Sequence, residues 1–239
     1  MGRLALIGGH SILGSEPAAG FEPLDVDTSS GPVRVYERGE QVLLQRHGFA
    51  RYTTAARIDH PRNFAALAGL GCDRVLAVGS VGGLRAELGV GTFLCPDDFI
   101  ALHLGLSLDD QHGGEQVPGF DRDWRRAVVE AWNRAAEPEL IDGGVYWQAI
   151  GPRFETPAEI RLIAAHADVI GMTIAAECII ARETGIPYAA VCVVDNLANG
   201  VAAEELSVAE FEAGKEENRS RLTAALGAVT AELERGSAG

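Results

Sequence analysis

Eight short β-rich runs alternate with longer amphipathic stretches along this chain, and that alternation leaves few architectures open. The runs are Leu4–Ile7, Val33–Tyr36, Gln41–Gln45, Arg74–Val78, Phe93–Leu102, Gly144–Ile150, Val169–Gly171 and Tyr188–Val194. Helical patterns fall between and after them, at about Pro61–Leu70, Arg122–Ala136, Pro157–Ala165, Ile174–Thr184 and Ser207–Leu233, with Gly71 and Gly185 marking helix ends before a new strand. Strands alternating with helices predict an α/β sandwich whose sheet is largely parallel, with ligands at the carboxyl ends of the strands. Several early and middle strands lie close together in sequence, so the sheet should be mixed. The polar, poorly periodic segment His103–Asp123 reads as a long surface loop.

Composition narrows the function classes. Of 239 residues, 47% are hydrophobic, enough for one sizeable core, and no repeat or linker splits the chain, so a single domain over 1–239 is expected. A formal net charge of −14 excludes a broad electrostatic grip on nucleic acid or an anionic membrane, which needs clustered Lys and Arg. An anionic small molecule must then be held by a local site. Cys72, Cys95, Cys178 and Cys192 lack CxxC spacing and read as reduced core thiols. No apolar run approaches the roughly 18 residues of a membrane span. A cytoplasmic protein is expected.

Six segments carry candidate chemistry. The opening Gly8-Gly9-His10-Ser11 follows a strand, but it is no P-loop: Gly9 and Gly14 have the outer spacing, yet Ser15 stands where lysine belongs. The dinucleotide fingerprint fails on glycine register. Either a tight turn or a small anion site built from backbone N–H groups and the Ser11 hydroxyl remains. Arg46 and His47 emerge directly from a strand, a productive place for cations and also an ordinary surface feature. Gly79, Gly82 and Gly83 surround Ser80 just past an apolar strand, where a backbone can approach a ligand closely. The stretch GPRFETPAE follows; then Met172-Thr173 end a strand, with Glu177 about one turn into the next helix. Finally, AVCVVDNLANG ends a β-prone run in Asp195, a functional carboxylate or the cap of a turn. The six histidines form no HxH or HExxH ligand pattern, so no metal is expected.

At GPRFETPAE and ADVIGMTIAAECIIARETGIPYAAVCVVDN, the chain resembles the trimeric branch of the purine nucleoside phosphorylase and methylthioadenosine phosphorylase family. LIGG, QRHG and VGSVGGLRAELGVG followed by DDFI extend the likeness over nearly the whole chain, and the bacterial methylthioinosine or methylthioadenosine group is the most similar. This resemblance implies a phosphorylase-type three-layer α/β/α sandwich with a mixed, partly barrel-like sheet, assembled as a homotrimer or a dimer of trimers. It implies attack of inorganic phosphate, a co-substrate rather than a cofactor, on C1′ of a purine nucleoside. Phosphate would meet Ser11, Arg46, His47, Ser80 and Thr173. Met172 would pack beneath the ribose, Phe154 against the base, and Glu155 would accept from the base N1–H.

Asp195 is then the candidate catalytic group, addressing purine N7, and must carry a proton to donate one. Glu155 points to inosine- or guanosine-like bases and Asp195 to adenine-like ones, so a 6-oxo or dual-specific enzyme is expected. Val208 and Phe211, three apart on a helix, would favour a 5′-methylthio group or simply pack the helix. His10 departs from the Thr or Ser usual after Gly-Gly. A hydrolytic nucleosidase and a non-catalytic purine-binding protein are the alternatives; paired Arg46 and His47 argue against a water nucleophile, which needs no cation cradle.

Overall fold

The computed structural model describes residues 2–9, 20–49, 51–108, 116–201 and 208–236, with the backbone alone over 208–217 and at 236. All described strands join one sheet. β1 (Arg3–Gly8) lies between β4 (Gln41–Gln45) and β5 (Cys72–Gly83), parallel to both. β11 (Tyr188–Leu197) runs parallel to β5 along its other edge. Beyond β4 the sheet continues through antiparallel β3 (Val33–Arg38) to β2 (Glu22–Val26). β10 (Val169–Gly171) pairs antiparallel with the last two residues of β5 and parallel with β9 (Val145–Gln148), which carries β7 (Asp98–Ile100). β6 (Phe93–Cys95) links β11 to β8 (Leu140–Asp142). The sheet is mixed, as expected, but not closed: β2, β7 and β8 each pair along one edge.

Three differences from the expected strands appear: β8 is a short strand beyond the expected set, and the other two have local causes. β2 is an edge strand with no buried residue, so it carries no apolar alternation to read. The run Phe93–Leu102 is two strands, because Pro96 has no N–H with which to continue a ladder.

The described helices are α1 (His60–Gly69), α2 (Arg122–Ala135), α3 (Pro157–Ile163), α4 (Ile174–Thr184) and α5 (Val208–Gly236). Asp59, Asp121 and Thr156 accept from first-turn N–H groups of α1, α2 and α3, and Thr156 with Glu159 forms a reciprocal capping box. Strand alternation then builds two core layers. Val75, Ala77, Val81, Ala190, Cys192 and Val194 face Phe64 and Leu67 of α1 and Ile174, Cys178 and Ile180 of α4. Their neighbours Leu76, Val78, Ala189, Val191 and Val193 face Trp124, Val128 and Trp132 of α2 and Leu222 and Val229 of α5. This is the three-layer sandwich, and it leaves the carboxyl ends of parallel β1, β4, β5 and β11 at one end. All four cysteines are free and buried. Burial pushes the thiols up, to about 11 at Cys72 and about 12 at Cys95, so they stay protonated. No described helix is long and apolar enough to cross a membrane.

Candidate active site

The chain leaving β1 backs directly onto Arg46 and His47 at the end of β4. The Arg46 N–H donates to Gly8 O at 2.9 Å, and a Cβ placed on Gly9 would stand 3.2 Å from His47 Cδ2 and 3.8 Å from Arg46 Nη1. Ser11, expected to complete this wall, lies outside the described residues, as does His10.

Arg46 is buried rather than displayed. Its Nε and Nη2 donate to the two oxygens of Glu177 at 2.6 and 3.0 Å, and Nη1 donates to Val78 O at 2.7 Å. Tyr188 donates its hydroxyl to the same Glu177 at 2.8 Å. Burial works against the charged guanidinium, but the adjacent Glu177 carboxylate outweighs it and holds Arg46 above its ordinary range. Burial also raises the Tyr188 phenol, with the Glu177 charge acting in the same direction. A guanidinium has five N–H donors, and three are used here, so the pair still leaves Arg46 two for an anion. His47 is partly buried, with Nδ1 2.7 Å from Thr53 O and its ring stacked 4.8 Å from that of Tyr52. A carbonyl only accepts, so Nδ1 carries a proton and Nε2 is the nitrogen turned toward Gly9.

β10 runs antiparallel along the end of β5, so its carboxyl end turns back toward Ser80 and delivers Met172 and Thr173 beside it. Gly79 makes this possible: a Cβ there would lie 2.9 Å from Cγ1 of Ile174, the first residue of α4. Thr173 is the N-cap of α4, yet its side chain makes no capping bond. The first N–H groups of the helix are satisfied from β9 instead: Thr173 and Ile174 donate to the Tyr146 hydroxyl at 3.1 and 3.3 Å, and Ala175 donates to Gln148 Oε1 at 3.0 Å. Gly171 admits that hydroxyl, since a Cβ there would sit 2.5 Å from it. Three N–H groups at this helix N-terminus are therefore already taken, and what the Thr173 side chain can offer an anion is its hydroxyl.

Asp195 sits at a register shift between Val194 and Asn196 in β11 and is buried. Ser80 donates its hydroxyl to Asp195 Oδ2, while Asn218 of α5 donates to Oδ1 at 2.8 Å and to Val194 O at 3.1 Å. The single Ser80 hydroxyl hydrogen thus goes to the carboxylate in this structure. Met172 packs against Gly151, at the start of the loop bearing Phe154 and Glu155. From the other side Asn199, just past β11, donates to the Glu155 carbonyl at 2.9 Å. Phe154 is exposed and Glu155 half-buried. Burial pushes the Glu155 carboxyl above its ordinary value, with the Glu159 charge adding to it. The backbone of Val208 and Phe211 is helical, but their side chains lie outside the described residues. Among the described residues no group of three or more His, Cys, Asp or Glu is arranged to hold a metal ion.

A family model described as the phosphorylase superfamily matches residues 12–231. The chain belongs to that superfamily. Among its relatives, a probable 6-oxopurine nucleoside phosphorylase of Archaeoglobus fulgidus is 36% identical over 224 residues, covering 92% of each chain. A probable S-methyl-5′-thioinosine phosphorylase of Xanthomonas campestris is 34% identical and covers 98% of this chain and 97% of its own. A methylthioadenosine phosphorylase from Schistosoma mansoni, solved with adenine, superposes with a TM-score of 0.85 at 21% identity, over 99% of this chain and 92% of that one. The resemblance read from GPRFETPAE and its companions is therefore borne out for family and fold.

In this phosphorylase the sequence reading left Glu177 without a role and passed over Tyr188, Tyr146, Gln148 and Asn218. Glu177 had a signal: a carboxylate inside the otherwise apolar stretch Ile174–Ile180 needs a buried partner. The others had none: Tyr146 and Tyr188 are aromatic residues of the kind that belong in strands, Gln148 is a polar residue closing one, and Asn218 lies in the polar run KEENRSR.

Proposed function

We propose that this protein catalyses phosphorolysis of purine nucleosides, yielding the free base and a ribose 1-phosphate. The observation that carries the reading is the cation wall at the strand ends, where Arg46, with two N–H groups to spare, and His47 back onto Gly9. A phosphate oxygen forms the new bond to C1′ as the C1′–N9 bond breaks and its electron pair moves onto the purine. Arg46 and the Thr173 hydroxyl hold the phosphate, and His47 joins them through Nε2 as an imidazolium, its Nδ1–H staying on Thr53 O; Ser80 joins them by turning its hydroxyl away from Asp195. Ser11 completes the set. Asp195 meets N7 of the departing base, and to give N7 a proton it takes one up first. Met172 lies under the ribose, Phe154 against the base, and Val208 and Phe211 at the 5′ end. Phosphate is a co-substrate and no cofactor enters.

Two relatives are named for 6-oxopurine and thioinosine substrates, both with 6-oxo bases, which supports Glu155 as acceptor of the base N1–H. We place the protein in the cytoplasm as a homotrimer, to which the exposed Leu102, Val117 and Ile150 would contribute apolar contacts. The test is a panel of inosine, guanosine, adenosine, methylthioinosine and methylthioadenosine assayed with and without phosphate. Ribose 1-phosphate formed only with phosphate is the expected result. Free ribose formed without it would establish a hydrolase, and base binding with no product a binding protein.

A further inference from the structure

The guanidinium of Arg46 has almost no freedom left. A carboxylate gripping Nε and Nη2 together sets the plane and roll of the group, and Val78 O fixes the remaining nitrogen. Glu177 is itself tied from β11 by the Tyr188 hydroxyl. The same helix that carries Glu177 begins at Thr173, and the Glu177 N–H donates to Thr173 O at 3.1 Å. One turn of α4 therefore mounts a hydroxyl at its start and the anchor of the guanidinium at its end. That turn is fastened to β9 through Tyr146 and Gln148. Both supports of Glu177 are buried, so neither trades its bond for water.

We propose that Glu177, steadied by Tyr188, is a positioning residue for phosphate: it aims the two unused N–H groups of Arg46 at the wall formed by Gly9 and holds them in register with the Thr173 hydroxyl. This rests on the reading of Arg46 as a phosphate ligand. A counter-ion needed only to neutralise a buried arginine would affect folding and leave phosphate affinity alone. A positioning residue moves phosphate affinity in protein that is folded.

The experiment measures KM for phosphate, KM for nucleoside and kcat in wild type, Glu177→Gln, Tyr188→Phe, Arg46→Lys and the two double variants with Arg46→Lys, with circular dichroism confirming the fold of each. Glu177→Gln is expected to raise the phosphate KM about tenfold or more and leave the nucleoside KM within about twofold; Tyr188→Phe is expected to raise the phosphate KM about two- to fivefold. Because Glu177 acts through Arg46, both effects should shrink below about twofold in the Arg46→Lys background. Phosphate KM unchanged in folded Glu177→Gln and Tyr188→Phe, or effects that persist undiminished beside Arg46→Lys, overturn the proposal while the phosphate reading stands. An unchanged phosphate KM in Arg46→Lys overturns the phosphate reading, and the proposal with it. Should Glu177→Gln fail to fold, Tyr188→Phe and its double variant decide by the same criterion.

Discussion

Replacing Tyr146 by Phe removes one oxygen from the core, and the structure sets the cost of losing it. That oxygen accepts from Thr173 N–H and Ile174 N–H at 3.1 and 3.3 Å. Both donors belong to the start of α4 and have no partner within the helix. Ile174 is fully buried and Thr173 is 8% exposed, so water does not replace the lost acceptor. An orphaned buried donor costs about 1–3 kcal/mol. The two bonds share one acceptor and are longer than the ~2.9–3.0 Å optimum, so the low end applies to each, about 2 kcal/mol together. For a chain of this size that is a fall in Tm of about 4–8 °C. Urea unfolding with an unchanged m-value, alongside thermal melting, measures it.

Gly171→Ala attacks the same contact from the other side. Its Cβ would sit 2.5 Å from the Tyr146 hydroxyl and 3.1 Å from two ring carbons, so the ring must shift. Overpacking of about 1–3 kcal/mol then adds to the loss of both caps. Gly171→Ala should therefore cost more than Tyr146→Phe alone, and less than its own value when placed in the Tyr146→Phe background, where the nearest clashing atom is gone. A loss below about 0.5 kcal/mol for Tyr146→Phe, or strict additivity of the pair, refutes the account of how α4 is anchored.

Asp195→Asn should lower turnover by about a hundredfold or more while leaving the phosphate KM within about twofold; full turnover with purine nucleosides ends its role at N7. In the proposed contact with N1–H the ionised Glu155 is the stronger acceptor, and burial raises its pKa. The KM for a 6-oxopurine nucleoside should rise as pH falls through that elevated value, and Glu155→Gln should flatten the profile. A wild-type profile no steeper than that of Glu155→Gln counts against the contact. Burial lowers the pKa of His60 from the ordinary 6.5, with Arg46 acting in the same sense against Glu177 and Asp59, and its Nδ1 has no partner among the described residues. The unfolded chain then binds this proton more readily than the folded one, so stability is full above about pH 6.5 and is lost as pH falls toward the folded value. Denaturant midpoints across that window should fall less in His60→Gln than in wild type; identical slopes remove His60 from the cause.

Much of the sheet was legible because burial leaves a signature. β5 and β11 bury nearly every residue, and their apolar runs were readable as strands; β2, exposed at the edge, was not. Asp121 and Thr156 start helices where polar residues precede amphipathic patterns. The strand ends that carry candidate ligands were equally visible, since Arg46, Ser80, Thr173 and Asp195 each interrupt or follow an apolar run. What each side chain does there was not visible, because it depends on a partner far along the chain: Glu177 for Arg46, Asn218 for Asp195, Tyr146 for the turn at Thr173. A motif displays one end of such a pair, and periodicity cannot say which distant residue closes it.

This division between visible ligands and hidden partners changes how the candidate site is understood. Taken singly, Arg46 and Asp195 are opposite charges at strand ends, free to meet substrate. In the folded chain Arg46 is committed along one edge to Glu177, and Asp195 receives donors from Ser80 and Asn218. Each commitment runs to a helix on a different side of the sheet: α4 holds Arg46 and α5 holds Asp195. Ser80, on the central strand between them, is the one residue proposed to address both phosphate and the base-facing carboxylate. Its hydroxyl has a single hydrogen to give, so giving it to phosphate takes it from Asp195 and raises the proton affinity of the group proposed to protonate N7. On these proposed roles, arrival of phosphate and readiness of Asp195 are linked through one rotatable bond, and Ser80→Ala, which frees Asp195 of that donor at all times, should raise the phosphate KM while leaving turnover at saturating phosphate within about twofold of wild type; a large loss of turnover there refutes the link.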